Sequence, residues 1–303
     1  MSSLPNFREV FVSRHGVSEG ILVEFDFCQL EICALAELSK DAVLIEELNT
    51  GKDIHRLNAA AWVKCKPEEV TDAARKKAKI LTFQLQYGAG AKKMAESLSI
   101  PAKEAKAFID TYYNKYKGVG EYHAALLAHS NLCAMSANAQ EDPTNEVMHY
   151  VCPITGRGYT FKIHKNESKP SWTGEKEYYF SPTEVKNYPV QGFATADIVP
   201  IVMNLILRKI QLFNNTHFPI GKPIGITCIN TVHDSFMFDI NSDYTYQLFT
   251  MVEDAFKEFP KYFKELFDYD LKVQYNYDVK FGADWSNSMT KLSRKEIQLL
   301  LEG

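Results

Sequence analysis

Two carboxylates in this sequence stand where strand patterns break off. Asp26 ends the run "SEGILVEFDF", and Asp234 sits in "NTVHDSFMFDI", with His233 before it and Ser235 after it. Ile21, Val23 and Phe25 alternate with Leu22, Glu24 and Asp26, which predicts a strand from Ile21 to Phe27. Residues 224–240 read as a β-hairpin with His233-Asp234-Ser235 at its tip. If the two strands are neighbours in one sheet, the carboxylates meet. At about 5 Å they repel by roughly 3 kcal/mol at an effective dielectric of about 20. Such a pair wants a cation, and all-oxygen ligation selects Mg²⁺ or Mn²⁺ over Zn²⁺. Paired carboxylates of this kind suit two-metal phosphoryl transfer. The same spacing also fits two exposed strand-end acids, and at this level both readings stand.

A second constellation lies in "RKKAKILTFQLQYG". Arg75, Lys79, Phe83 and Tyr87 recur at every fourth residue, which on a helix places them on one slowly drifting stripe. Two cations followed by two aromatics match the polarity of a nucleoside triphosphate, with phosphates at one end and a stackable base at the other. The alternative is a solvated basic start to a helix whose aromatics pack in a core.

These side chains need elements to hold them. Thr71 is the expected N-cap of the stripe helix, with Asp72 in its first turn and Gly88 near its end. "QLEICALAELSKD" has helical spacing and stops near Lys40, and residues 51–130 are helical in pattern. Residues 138–180 read as irregular, with a short hairpin in "CPITGRGYTF". A helix is expected through "TADIVPIVMNLILRKIQLF" and another across "DYTYQLFTMVEDAFKEF", stopped by Pro260. "LKVQYNYDVKFGADW" reads as a closing strand, and "KLSRKEIQLLLEG" has the spacing of a docking segment or capping helix. Strands near both ends with helices between predict an α+β sheet domain interrupted by a helical domain.

Composition excludes several classes. At 303 residues the chain suits one large domain or two small ones. It has no run of 18 apolar residues and no signal-peptide pattern, so no membrane partner is expected. Six cysteines without CxxC spacing predict free thiols in a reducing cytoplasm, and eight scattered histidines lack zinc-ligand spacing. Net charge is −4, but basic residues concentrate between 75 and 117 while 241–270 is acidic.

"DFCQLEICALAELSKD", "RKKAKILTFQLQYG" and "TVHDSF" resemble the three signature motifs of family A DNA polymerases, the bacterial DNA polymerase I type. "DIH" at 53–55, "YKGVGEY" at 116–122, "TGRGY" at 155–159, "NYPVQGFATADI" at 187–198 and "DVKFGADW" at 278–285 follow the family in order and spacing. The resemblance covers about residues 6 to 290 and is strongest to bacteriophage members. It implies a right-hand palm, an antiparallel sheet backed by helices, in segments 1–50 and 183–303, with helical fingers inserted over 51–182. It implies template-directed transfer of a deoxynucleotide to a primer 3′-OH, with primer-template DNA and dNTPs as partners and two Mg²⁺ ions, replaceable by Mn²⁺, as cofactor.

Residue by residue, the resemblance assigns metal ligation to Asp26, Asp234 and the Phe27 carbonyl, and the primer terminus to His233. Arg75 and Lys79 would hold the triphosphate, Lys79 as proton donor to the leaving pyrophosphate. Gln29 and His55 would face the phosphates, and Phe83 and Tyr87 would line the nucleotide pocket. Glu31 matches the steric gate against the ribose 2′-OH. Arg8, Asn187 and Gln191 match residues that read the DNA minor groove, where acceptors are shared among base pairs. Cys28, Cys33, Thr183 and Ser235 depart from the family pattern; they bear on fine DNA contacts and an auxiliary acid, leaving the metal pair intact. Intact Asp26, Asp234, Lys79 and Arg75 disfavour a non-catalytic DNA-binding subunit. Glu31 and "VQGFATAD" disfavour an RNA polymerase or reverse transcriptase. The sequence starts at "MSSLPNFREVFV", close to the palm, so the thumb and exonuclease are expected on a separate polypeptide of a split phage polymerase.

Overall fold

The computed structural model describes residues 7–16, 18–140, 142–166, 178–219, 224–286 and 288–302. In chain order it builds β1 (Gly20–Phe27), α1 (Leu30–Ser39), α2 (Ala42–Asn49), α3 (Ile54–Val63), α4 (Asp72–Gln86), α5 (Ala91–Leu98), α6 (Ala102–Lys115) and α7 (Lys117–Ala137). There follow β2 (Val147–Val151), β3 (Gly158–Lys162), β4 (His164–Lys165), β5 (Tyr178–Tyr179), α8 (Pro182–Gln191) and α9 (Val199–His217). The chain closes with β6 (Ile226–Val232), β7 (Ser235–Asn241), α10 (Thr245–Phe267), β8 (Tyr277–Gly282), β9 (Thr290–Leu292) and α11 (Arg294–Glu302). The described residues fall into two compact units. One takes residues within 1–30, 194–271 and 275–303; the other takes residues within 31–193 and 272–274.

The first unit is built on an antiparallel sheet, ordered β6-β7-β1-β8-β9 among the described residues. β1 lies in its centre, and Leu22, Val23, Phe25 and Phe27 are buried on both faces of it. Asp26 is in register with Ser235 on β7 and with Asp278 on β8. α10 covers one face: Phe25 meets Phe249 edge-on at 5.3 Å, and Phe27 lies 5.1 Å from Phe256.

Two expectations need correcting here. Pro260 does not stop α10, which runs on to Phe267. A proline inside a helix costs about 3 kcal/mol. Phe259 and Phe263, on either side of it, are fully buried, and each such ring contributes roughly 2–3 kcal/mol, so continuation wins. The closing strand is also shorter than expected. The amides of Lys272 and Val273 donate to the buried Glu37 carboxylate at 2.7 and 2.8 Å, and that of Gln274 to Asn49, so they are spent before any ladder can use them.

The second unit is helical, with a small hairpin. One carboxylate organises two of its helices: Asp41 caps α2 through Leu44 N (2.9 Å) and receives Gly118 N at the start of α7 (2.7 Å). A Cβ on Gly118 would sit 3.0 Å from the Asp41 Cα, which accounts for the first glycine of "YKGVGEY". The expected hairpin is β2–β3, but Cys152–Arg157 forms its turn rather than its first strand. The irregular structure expected over 138–180 falls partly on 167–177, outside the described residues. Its buried face, Met148 and Phe161, joins Leu126, Phe180 and Val185 in one core.

α8, a π-helical turn (Gly192–Ile198) and α9 make one continuous helix, Pro182–His217, longer than the expected segment. By length and composition it passes as a membrane span. Half of its most apolar window is buried inside the chain, as for a core helix.

Candidate active site

In the first unit the fold brings together Asp26, Phe27, His233 and Asp234. Asp26 is on β1 and Asp234 is at the tip of the β6–β7 hairpin, where the two strands are joined by His233-Asp234 alone. His233 takes a left-handed backbone (φ 55°), which tightens the turn, and its side chain is exposed. The Phe27 amide donates to the Asp234 carbonyl at 3.1 Å, so main-chain bonding locks the two aspartate-bearing segments together.

The electrostatics favour the neutral form of both carboxyls. Burial, then the charge of Asp234, raises the Asp26 carboxyl from 3.8 to about 6. Asp234 is also raised, first by burial; its own backbone N–H and His233 act the other way. Lys280, ion-paired with Glu24 at 2.9 Å, offsets part of the negative charge at Asp26. Carboxylates and a main-chain carbonyl are hard oxygen donors, so the donor set fits Mg²⁺ or Mn²⁺. Among the described residues no group of three His, Cys, Asp or Glu side chains could hold a metal, so the fit rests on the pair with main-chain oxygen. Gln29 has φ 53°, and its buried Oε1 has no partner among the described residues. Arg8 lies with its guanidinium 4.6 Å from the Trp285 ring centre.

In the second unit the stripe is real. α4 starts at the expected cap, Thr71, whose hydroxyl accepts from Ala74 N at 3.2 Å. Gly88 ends it with φ 73°, and a Cβ there would meet the Thr183 Cα at 2.9 Å. Along it Arg75 is half-buried, Lys79 exposed, and Phe83 and Tyr87 half-buried. The Lys79 ammonium sits 5.8 Å from the Phe83 ring centre, and the His55 ring 5.6 Å from it. Burial, then Lys79, lowers His55 to about 4, so the imidazole is neutral at neutral pH. The Tyr87 hydroxyl lies 3.0 Å from both oxygens of Glu31, which fixes the expected gate residue. Asn187 and Gln191, one turn apart on α8, are bonded to each other at 3.2 Å.

Sequence reasoning passed over two carboxylates. Asp53, in the quoted "DIH", takes the Arg75 guanidinium in an ion pair; its place two residues before His55 was the available signal. Asp278 lies beside Asp26 across β1–β8, ion-paired with Lys291 at 2.7 Å; burial, and then Asp278, pushes the Cys28 thiol up to about 12. Nothing local in the sequence marks that neighbour.

Residues 2–287 match the sequence model of DNA polymerase family A. The chain is 30% identical over 213 residues to DNA polymerase theta of Mus musculus, an alignment covering 70% of this chain and 7% of that one. It is 28% identical over 279 residues to the thermostable DNA polymerase I of Thermus filiformis, covering 92% of this chain and 28% of that one. It therefore spans less than a third of the length of these curated relatives. Among solved structures it superposes on the POL domain of Pol1 from M. smegmatis in complex with DNA primer-template and dNTP. The TM-score is 0.66 at 24% identity, over 92% of this chain and 42% of that one, a likeness of fold: helices with an antiparallel sheet.

Proposed function

Because the chain belongs to DNA polymerase family A, we propose that it carries out template-directed 5′–3′ DNA synthesis, transferring a deoxynucleotide from dNTP to a primer 3′-OH. The observation that carries this reading is the Asp26–Asp234 pair: 208 residues apart in sequence, their segments are joined by the Phe27 N–H bond to the Asp234 carbonyl, and the charge of Asp234 adds to burial in raising the Asp26 carboxyl.

Asp26, Asp234 and the Phe27 carbonyl would hold the divalent ions. Such ions would supply acidification of the attacking hydroxyl and charge compensation on the departing pyrophosphate. The chain's own side chains do the rest. Arg75 and Lys79 bind the triphosphate, and the Lys79 ammonium can hand a proton to the pyrophosphate oxygen. His55 stays neutral and leaves the cationic work to them. Phe83 lines the nucleotide pocket beside the sugar. Glu31, held by Tyr87, excludes a ribose 2′-OH. His233, exposed at the hairpin tip, meets the primer terminus. Asn187, Gln191 and Arg8 contact the duplex through its minor groove.

Duplex affinity scales with the number of cationic contacts. A net charge of −4, with basic residues densest over 75–117, supports weak grip by this chain alone and a second polypeptide that adds the grip. The "HDS" and "NYPVQGFATAD" segments support a phage replication enzyme.

The test is primer extension with Mg²⁺, with and without any protein that co-purifies from the native source. Wild-type chain should incorporate deoxynucleotides over ribonucleotides, and Asp234→Asn should abolish extension while DNA binding persists. Extension by Asp234→Asn near the wild-type rate sinks the reading. Tight, processive synthesis by the isolated chain at physiological salt sinks only the second polypeptide.

A further inference from the structure

We propose that Asp53 is the positioning residue of the triphosphate site: its carboxylate holds Arg75 by Nε, so that the two terminal guanidinium nitrogens form the fork that meets the phosphates. This rests on the assignment of Arg75 to the triphosphate made above.

Asp53 divides its two oxygens. Oδ1 accepts from Arg56 N at 3.1 Å and caps α3, while Oδ2 accepts from Arg75 Nε. A carboxylate bound at both oxygens has one orientation, and its contact with Nε restrains the guanidinium it grips. Among the described residues Arg75 makes no other side-chain hydrogen bond or ion pair. Its two terminal nitrogens are left for a ligand. The pair is open enough to meet a ligand, with side chains 37% and 34% exposed.

The grip also links two helix starts. α3 carries His55, whose buried Nδ1 has no partner among the described residues, two positions after Asp53. α4 carries Arg75 in its first turn and Lys79 one turn on. Asp53 thus bonds one of the three nitrogen-bearing side chains expected at the phosphates, Arg75, and caps the helix that carries a second, His55. A half-exposed ion pair adds little to stability, so stability does not explain why this one is built into a helix cap. Orientation does: a long side chain fixed before binding loses less freedom on binding. Because Asp53 uses Nε, it does not compete with phosphate for the outer N–H groups, and removing it should weaken binding.

Single-nucleotide extension by the full chain, with any co-purifying partner present, tests this with Asp53→Asn, Asp53→Ala, Arg75→Ala and the Asp53→Asn/Arg75→Ala double variant. Asparagine caps a helix as well as aspartate, but with its one oxygen on the cap it turns an amide N–H₂ toward the guanidinium. Asp53→Asn should raise KM for dNTP by about tenfold with kcat within about twofold. The inhibition constant of inorganic tripolyphosphate, which reads the phosphate site without base or sugar, should rise in parallel. Arg75→Ala should raise KM at least as much, and the double variant should match Arg75→Ala alone. Asp53→Ala should show the same KM and a lower melting temperature, separating the cap from the grip. An Asp53→Asn with unchanged or lowered KM and inhibition constant, beside an impaired Arg75→Ala, overturns the role of Asp53; so does additivity in the double variant. An Arg75→Ala with wild-type KM overturns the triphosphate assignment instead.

Discussion

Replacing Asp26 with asparagine keeps the shape of the side chain and removes its charge, so it measures what the ionised carboxylate costs the fold. The folded chain holds the Asp26 proton up to about pH 6, against 3.8 for a free side chain. Folding therefore tightens proton binding. The contribution of this group favours the folded state at low pH and is lost as pH rises through about 6. A difference of that size corresponds to roughly 3 kcal/mol. Asp26 is half-buried, and solvent screening brings this down to about 1–2 kcal/mol. In a chain of this length that is a rise in Tm of about 2–4 °C. In EDTA, calorimetry at about pH 8 should find Asp26→Asn melting above wild type by this amount, and at about pH 4 the difference should shrink toward zero. Mg²⁺ or Mn²⁺ should raise the Tm of wild type and leave that of Asp26→Asn nearly unchanged, while primer extension by the variant is lost. A variant no more stable than wild type at the higher pH, or equally stabilised at both, refutes the claim that burial and Asp234 strain this carboxylate.

Other outcomes follow from single contacts. Glu31→Ala should raise the ratio of ribo- to deoxynucleotide incorporation, and Tyr87→Phe, which removes the hydroxyl at 3.0 Å from Glu31, should raise it by a smaller factor; an unchanged ratio in both places the gate elsewhere. Phe83→Tyr should reduce discrimination against dideoxynucleotides, and equal terminator sensitivity in the two proteins refutes the placement of Phe83 at the sugar. Gly88→Ala forces a Cβ into a left-handed position 2.9 Å from the Thr183 Cα, and should lower stability by roughly 1–3 kcal/mol in denaturant melts; a wild-type midpoint shows that the close approach is not required.

What the sequence determined by itself is what depends on neighbours along the chain. The alternation of β1, the Thr71 cap and the Arg75–Lys79–Phe83–Tyr87 stripe all repeat within a turn or two, and each reappears where its spacing placed it. The hairpin carrying Asp234 was legible for the same reason, since both its strands and its tip are contiguous. The tertiary structure decided what is paired across distance. Register alone sets Asp278 beside Asp26, and strand order is fixed by burial summed over the sheet rather than by any residue in "DVKFGADW". Asp53 meets Arg75 only because α3 and α4 pack side by side. α10 runs through Pro260 because the aromatic face it buries outweighs one lost helical bond, a balance struck between elements and invisible to a local rule. Propensity and periodicity act over a few residues, whereas the charge balance at a carboxylate depends on whatever the packed core brings within reach of it.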